Sequence, residues 1–153
     1  MTNSSNEIIF KTFGTKLKDV SYYDRTGAYL ICIENKKLAV IRDPQGYFLP
    51  GGGIDDNESF EECLKRECIE ETGFSVNLDK HICSADTYVL HPKVGYFHPI
   101  QHYYNGTLIE KICEPIESDH ELEWISIDDI ENKMHLEFQI WAIKHYIDNH
   151  IDK

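Results

Sequence analysis

Positive charge is scarce in this chain: 15 Lys and Arg stand against 27 Asp and Glu, a formal net charge of −12 over 153 residues. Binding a nucleic-acid polymer rests on Lys and Arg neutralising phosphates, so this balance argues against DNA or RNA and leaves small phosphorylated molecules open as partners. No apolar run approaches the roughly eighteen residues of a membrane helix, and the opening MTNSSNEIIF has no basic stretch leading into an apolar one. Neither a membrane partner nor a secretory leader is expected. The five cysteines are odd in number and form no C-x-x-C pair, while Cys32, Cys63 and Cys68 sit in apolar patterns. That is the usage of a reducing compartment, so a cytoplasmic location is expected. Eight histidines are scattered without metal-ligand spacing on a helix and read as surface or packing residues. Repeats, linkers and low-complexity segments are lacking as well. Residues 1–153 therefore read as a single domain, large enough to bury a core without disulfides.

Apolar periodicity supplies the elements. Gly27 to Ile33 and Lys37 to Arg42 are short apolar runs around the polar turn Glu34-Asn35-Lys36, which reads as a hairpin. Tyr47 to Leu49 reads as a third short strand, which Pro50 and the glycines Gly51, Gly52 and Gly53 then terminate. Ser59 followed by Glu62 matches a capping box, and Gly73 suits a left-handed helix end, so a helix is predicted from about Phe60 to Thr72, with Phe60, Cys63, Leu64 and Cys68 inward. Val76 to Leu90 favours one or two strands and Gln101 to Ile112 another. Asn105-Gly106 makes either a tight hairpin or a bulge in one long strand. His91 to Pro99 reads as a surface loop. Glu121 to Ile127 alternates like a strand, and Asp128 to Ile130 begins a short turn or helix. Leu136, Ile140, Ile143, Ile147 and Ile151 recur at helical spacing, a terminal amphipathic helix whose apolar face offers a homodimer contact. Strands and helices in mixed order predict an α/β layer structure.

Chemistry concentrates in GGIDDNESFEECLKRECIEETGF, from Gly52 to Phe74. Between Asp55 and Glu71 there are eight acidic residues and two basic ones, so half of the net charge lies in this segment. Glu67, Glu70 and Glu71 are spaced three and four apart and share a helical face. Crowding like charges is unfavourable unless something offsets it, and a divalent cation taking oxygen ligands does so. A solvated acidic helix with Glu62-Arg66 and Arg66-Glu70 pairs is the bland alternative. It does not account for Glu58, Gly73 and the Pro-Gly-Gly-Gly turn at fixed offsets.

The segment resembles the Nudix box: G, five residues, E, seven residues, RE, an aliphatic, any residue, EE, any residue, G, an aliphatic. Gly52, Glu58, Arg66, Glu67, Glu70, Glu71, Gly73 and Phe74 fall on it in register. Cys68 departs from the aliphatic position mildly, since a buried cysteine behaves as a small hydrophobe. The resemblance implies an α/β/α sandwich with a mixed β-sheet, a loop-helix-loop catalytic motif, and metal-dependent hydrolysis of a nucleoside diphosphate linked to another group, nucleoside triphosphates included. It implies Mg²⁺ or Mn²⁺ held by Glu67, Glu70 and Glu71 with the carbonyl of Gly51 or Gly52, Glu67 as a second ligand site or general base, and Arg66 as the residue that orients a carboxylate. The family often recruits a further glutamate outside the box; among Glu117, Asp119 and Glu121, Glu121 is the choice. Arg25, Arg42, Tyr47 and Phe48 flank the expected pocket as candidates for phosphate contact or base stacking. The Tyr88 to Tyr104 region, rich in aromatics and histidines, either lines that pocket or covers the sheet. A Nudix module that binds a nucleotide or nucleotide sugar without turnover is the alternative function.

Overall fold

Local capping chemistry sets the one helix that precedes the long strands. In the computed structural model, which describes residues 7–116 and 119–150, helix α1 runs Phe60–Thr72. Ser59 Oγ accepts the Glu62 amide at 3.1 Å and Glu62 Oε1 accepts the Ser59 amide at 2.8 Å, so two otherwise orphaned donors are satisfied reciprocally. Gly73 closes the helix at φ 79°, its N–H donating to the Ile69 carbonyl. A Cβ there would stand 2.0 Å from the Cys113 carbonyl oxygen, so glycine is required on both counts. Cys63, Leu64 and Cys68 are buried as the periodicity predicts. Glu71, seven residues after Leu64, falls on the same inward stripe and is carried into the interior.

A mixed five-stranded sheet lies beneath α1. Strands β1 (Ile9–Gly14), β2 (Tyr23–Ile31), β6 (Gly51–Gly53), β7 (Phe74–His91) and β8 (Gly95–Lys111) are ordered β1-β7-β8-β2-β6, with β1 parallel to β7 and β2 parallel to β8. A second, smaller sheet is built on β4 (Lys37–Asp43), which pairs antiparallel with β3 (Ile33–Glu34), β5 (Gly46–Phe48) and β9 (Glu121–Ser126). A short 3₁₀ turn at Ile127–Asp129 leads into α2 (Ile130–Lys133), and α3 (Glu137–His150) follows. Ala28, Leu30, Cys63, Leu64 and Cys68 form one apolar cluster under α1, whereas Ile31, Cys83, Tyr103, Phe138 and Ile143 form another. The large sheet therefore lies between α1 and α3, the expected α/β/α arrangement.

Several boundaries differ from expectation, each because a distant partner decides. The hairpin turn forms where expected, with Asn35 and Lys36 at φ 53° and 63°, but only its tip pairs: Ile33–Glu34 meets Lys37–Leu38, and β2 belongs to the large sheet. The third strand ends before Pro50 as expected, but Gly51 to Gly53 form a further strand that pairs with Tyr29, Ala28 and Gly27 of β2. Asn105-Gly106 makes no hairpin; opposite it the register slips around His81 with the extra residues in β7, and a further slip between Phe74 and Val76 puts an extra residue in β8. His91 to Pro99 is a tight turn followed by the start of β8. In α3 the buried residues are Phe138, Gln139, Ala142 and Ile143, with Leu136, Ile140 and Ile147 partly buried against them. The helix's apolar face thus packs into its own core. Ile151 and Glu117 lie outside the described residues.

Candidate active site

Strand β6 brings its glycines beneath α1, and the box carboxylates meet them. A Cβ at Gly52 would stand 2.4 Å from Glu67 Cδ, so the bare glycine is the space in which this carboxyl group sits. Glu71 Oε1 accepts the Gly51 N–H at 2.8 Å, and its Oε2 lies 3.4 Å from His120 Nδ1. A buried charge demands such partners. Glu67 and Glu71 are 14% and 11% exposed at their side chains, against 32% for Glu70. Burial pushes the Glu67 carboxyl above its ordinary value, and the Arg66 charge opposes that shift.

Arg66 organises the segment through more contacts than the spacing suggested. Its Nε and Nη2 hold Glu58 in a fork at 2.6 and 3.0 Å, Nη1 reaches Glu67 at 3.2 Å and Glu70 at 3.1 Å, and Nη2 also donates to the Gly53 carbonyl at 3.1 Å. One guanidinium thereby ties helix, loop and β6 together. The fork, together with the Asp55 amide, holds the Glu58 carboxyl down at about 2. Glu62 is not an Arg66 partner, because the capping box takes it. Among the described residues no three His, Cys, Asp or Glu side chains already converge as a closed metal cage. What is present is a set of hard oxygen donors held apart by Arg66 and the Gly51 amide, with Glu67 seated on a bare glycine. This donor chemistry fits a small divalent cation.

Beside the carboxylates lies a cavity of about 560 Å³ between the two sheets, with Glu71, Gly51, Arg25, Tyr29 and Phe48 in its wall. Arg25 and Phe48 are thus where the sequence reading put them. Arg42, Tyr47 and Glu121 are not. Residues directly opposite in an antiparallel pair share a face, and Arg42 faces Tyr47 on one side and Glu121 on the other. The cavity takes the alternate pair, Ile41 and Phe48. Arg42 is bound at 2.6 Å to both Glu121 and Glu123, the Tyr47 hydroxyl donates to Glu123, and Glu121 is 60% exposed. A side chain outside the box that does reach Glu71 is His120, one residue before Glu121, and it lines the cavity.

Strand alternation also divides the aromatic region. Phe97, Pro99 and Gln101 line the cavity, while His98 stacks on Tyr88 at 4.2 Å and bonds Asp86 and Asp24. His91, Pro92 and Lys93 close the rim from the β7-β8 turn. Gln101, Gln139 and His120 escaped the sequence reading. For the glutamines a signal existed: each is a polar residue at an inward position of an otherwise apolar pattern.

Among the described residues all five thiols are free, and no helix is long and apolar enough to cross a membrane. A family model described as the NUDIX domain matches residues 24–146. Among solved structures, the MutT protein from Methanosarcina mazei Go1 superposes with a TM-score of 0.68 at 18% identity, covering 87% of this chain and 100% of that one. A UDP-X diphosphatase gives a TM-score of 0.64 at 21% identity, over 88% of this chain and 68% of that one. The NUDIX domain of Shewanella oneidensis NrtR, complexed with ADP ribose, gives 0.63 at 15% identity over 86% and 90%. No curated protein matches by sequence. These identities carry the fold alone, but the family match spans most of the chain, box and cavity included: the chain belongs to the Nudix family and is a hydrolase of pyrophosphate bonds.

Proposed function

We propose that this chain, acting as one domain, hydrolyses the phosphoanhydride of a nucleoside diphosphate linked to another group, with Mg²⁺ or Mn²⁺ as cofactor. The observation that carries the reading is the joint placement of Glu67 on Gly52, Glu71 on the Gly51 amide, and Glu71 again in the wall of a nucleotide-sized cavity. Glu67, Glu70 and Glu71, with the carbonyl of Gly51 or Gly52, would hold the cation. Its contribution is to screen the phosphate oxygens and ease the approach of a water to phosphorus.

The remaining steps belong to the chain. Glu67, whose carboxyl burial raises above its ordinary value, is suited either to hold a cation or to accept the proton of the attacking water as its oxygen bonds to phosphorus. The bridging P–O bond breaks, and the leaving phosphate takes the electron pair. Arg66 holds Glu67 and Glu70 in place without moving a proton. Arg25 and Lys93, both in the cavity wall, are suited to the phosphates, and Phe48 and Phe97 offer ring faces to a base. The names of two structural neighbours support the substrate class: one is a diphosphatase of UDP-X, the other was solved with ADP ribose. Five free thiols support a cytoplasmic site of action.

The test is phosphate or nucleotide release from a panel of nucleoside triphosphates, nucleotide sugars and dinucleotides. Turnover is expected with Mg²⁺ or Mn²⁺, is expected to vanish with EDTA, and should fall by orders of magnitude in Glu67→Gln. Recovery of that variant at high metal assigns Glu67 as a ligand, and a deficit that metal does not repair assigns it as the base. Full activity in EDTA after metal stripping overturns the proposal.

A further inference from the structure

One hydrogen-bond relay in the cavity wall has a fixed direction. The Leu49 backbone N–H can only donate, and it donates to Gln139 Oε1 at 3.0 Å, which settles which end of the Gln139 amide is oxygen. The nitrogen end of Gln139 then donates to Gln101 at 2.9 Å, so the Gln101 atom there is its oxygen. The Tyr103 hydroxyl donates to the same oxygen at 2.9 Å. Gln101 Oε1 is therefore saturated. Its Nε2 takes no partner among the described residues, is not sealed from solvent, and belongs to a side chain that lines the cavity.

The unpaired amide nitrogen favours a neutral acceptor at this spot. Across the sheet Gln101 stands between Gly27, whose face the Gly52 carbonyl covers, and the buried Ala85, so a group reaches its amide only from the cavity that it lines. Anionic phosphates have the cations Arg25 and Lys93 in the same wall. An uncharged amide donor suits an uncharged carbonyl, and an amino group in the same position would set donor against donor and leave both unpaired.

We propose that Gln101 selects the nucleobase, its amide N–H donors favouring a base with a ring carbonyl (4-oxopyrimidine or 6-oxopurine) over its amino counterpart, with Gln139 as the positioning residue that orients the amide. The assignment rests on the nucleotide-hydrolase reading above. Its test is kept separate by measuring binding without turnover: Kd for UMP against CMP and for IMP against AMP, in EDTA, by chemical-shift titration. Wild type is expected to bind the oxo member of at least one pair roughly tenfold more tightly. Gln101→Glu keeps an oxygen for Gln139 and Tyr103 but replaces the donors with an acceptor. The oxo-to-amino ratio of that pair should fall to about one or below; a uniform charge penalty on phosphate cancels in the ratio.

Gln139→Glu provides the second variant, and the reading if Gln101→Glu fails to fold. Its carboxylate still accepts the Leu49 N–H but cannot donate to Gln101, so the Gln101 amide turns over and presents its oxygen to the cavity. The same fall in ratio is expected, whereas a purely structural role for Gln139 would weaken both members equally. Equal Kd within both wild-type pairs, or ratios unchanged in the folded variants, overturns the proposal. A preserved ratio in a protein that hydrolyses nothing in the panel would instead sink the enzymatic reading and leave base selection standing.

Discussion

Replacing Gly52 by alanine tests whether the working position of Glu67 is the one seen against β6. The new Cβ would stand 2.4 Å from Glu67 Cδ and 2.5 and 2.7 Å from its carboxylate oxygens. Ordinary carbon contact begins near ~3.5 Å, so the carboxyl group has to move by roughly 1 Å. Its side chain can swing, and Gly52 is not in the left-handed region, so the backbone accepts alanine without strain. The cost falls on catalysis. A displacement of that size at a reacting group costs about a hundredfold in rate, or ~2.7 kcal/mol of barrier. Gly51→Ala should behave oppositely, because Gly51 sits at φ 145° and its Cβ would lie 2.2 Å from the Ala28 carbonyl oxygen, a backbone atom that cannot rotate away. It should lose stability, by about 1–3 kcal/mol or more. The assay is kcat and KM on the panel's best substrate, with thermal unfolding of both variants. Wild-type kcat in Gly52→Ala would show that Glu67 works from another position, and an unfolded Gly52→Ala would make the glycine structural. In a Glu67→Gln background the alanine should add no further loss; additive losses would mean that it acts through some other group.

Arg66→Ala removes the cation shared by Glu58, Glu67 and Glu70, and turnover at saturating metal should fall by about tenfold or more; an unchanged rate would leave Arg66 a structural tie only. The Glu58 carboxyl, held at about 2 against an ordinary 4.5, contributes stability above the ordinary value that is lost as pH falls toward about 2. Denaturation across that range should show the loss in wild type and not in Arg66→Ala. Glu71→Gln retains an oxygen for the Gly51 N–H, so its melting temperature should stay near wild type while kcat drops by roughly a hundredfold or more; near-normal turnover would place the ligand elsewhere. Burial, with His81 nearby, pushes His102 down to about 4 from 6.5, so the unfolded chain takes the proton first and stability declines as pH falls from about 6.5 to about 4. His102→Gln should flatten that decline by ~1 kcal/mol, a figure discounted for partial exposure, in urea titrations at the two ends of the window.

What was legible in the sequence divides by how far away the deciding partner lies. Both ends of α1 were readable because Ser59, Glu62 and Gly73 act within a few residues of themselves. Pro50 and the glycines do end β5, but that Gly51 to Gly53 then pair with β2 is not legible, because β2 is more than twenty residues earlier and nothing local announces that pairing. Arg42, Tyr47 and Glu121 failed for a related reason: polar and aromatic types were weighed without knowing which face of β4 meets the cavity, and one step of alternation decides that. The same alternation contains the sign that was overlooked. Phe97, Pro99, Gln101 and Tyr103 are successive same-face positions of β8, and Gln139 lies beside Phe138 in the buried stripe of α3. An amide at an inward position costs stability unless another polar group meets it, so two such amides in one apolar sequence predict each other. Read in that way, an isolated polar residue on a core-facing periodicity points to a partner, and the donor or acceptor that the partnership leaves over points into the cavity, where specificity is to be sought.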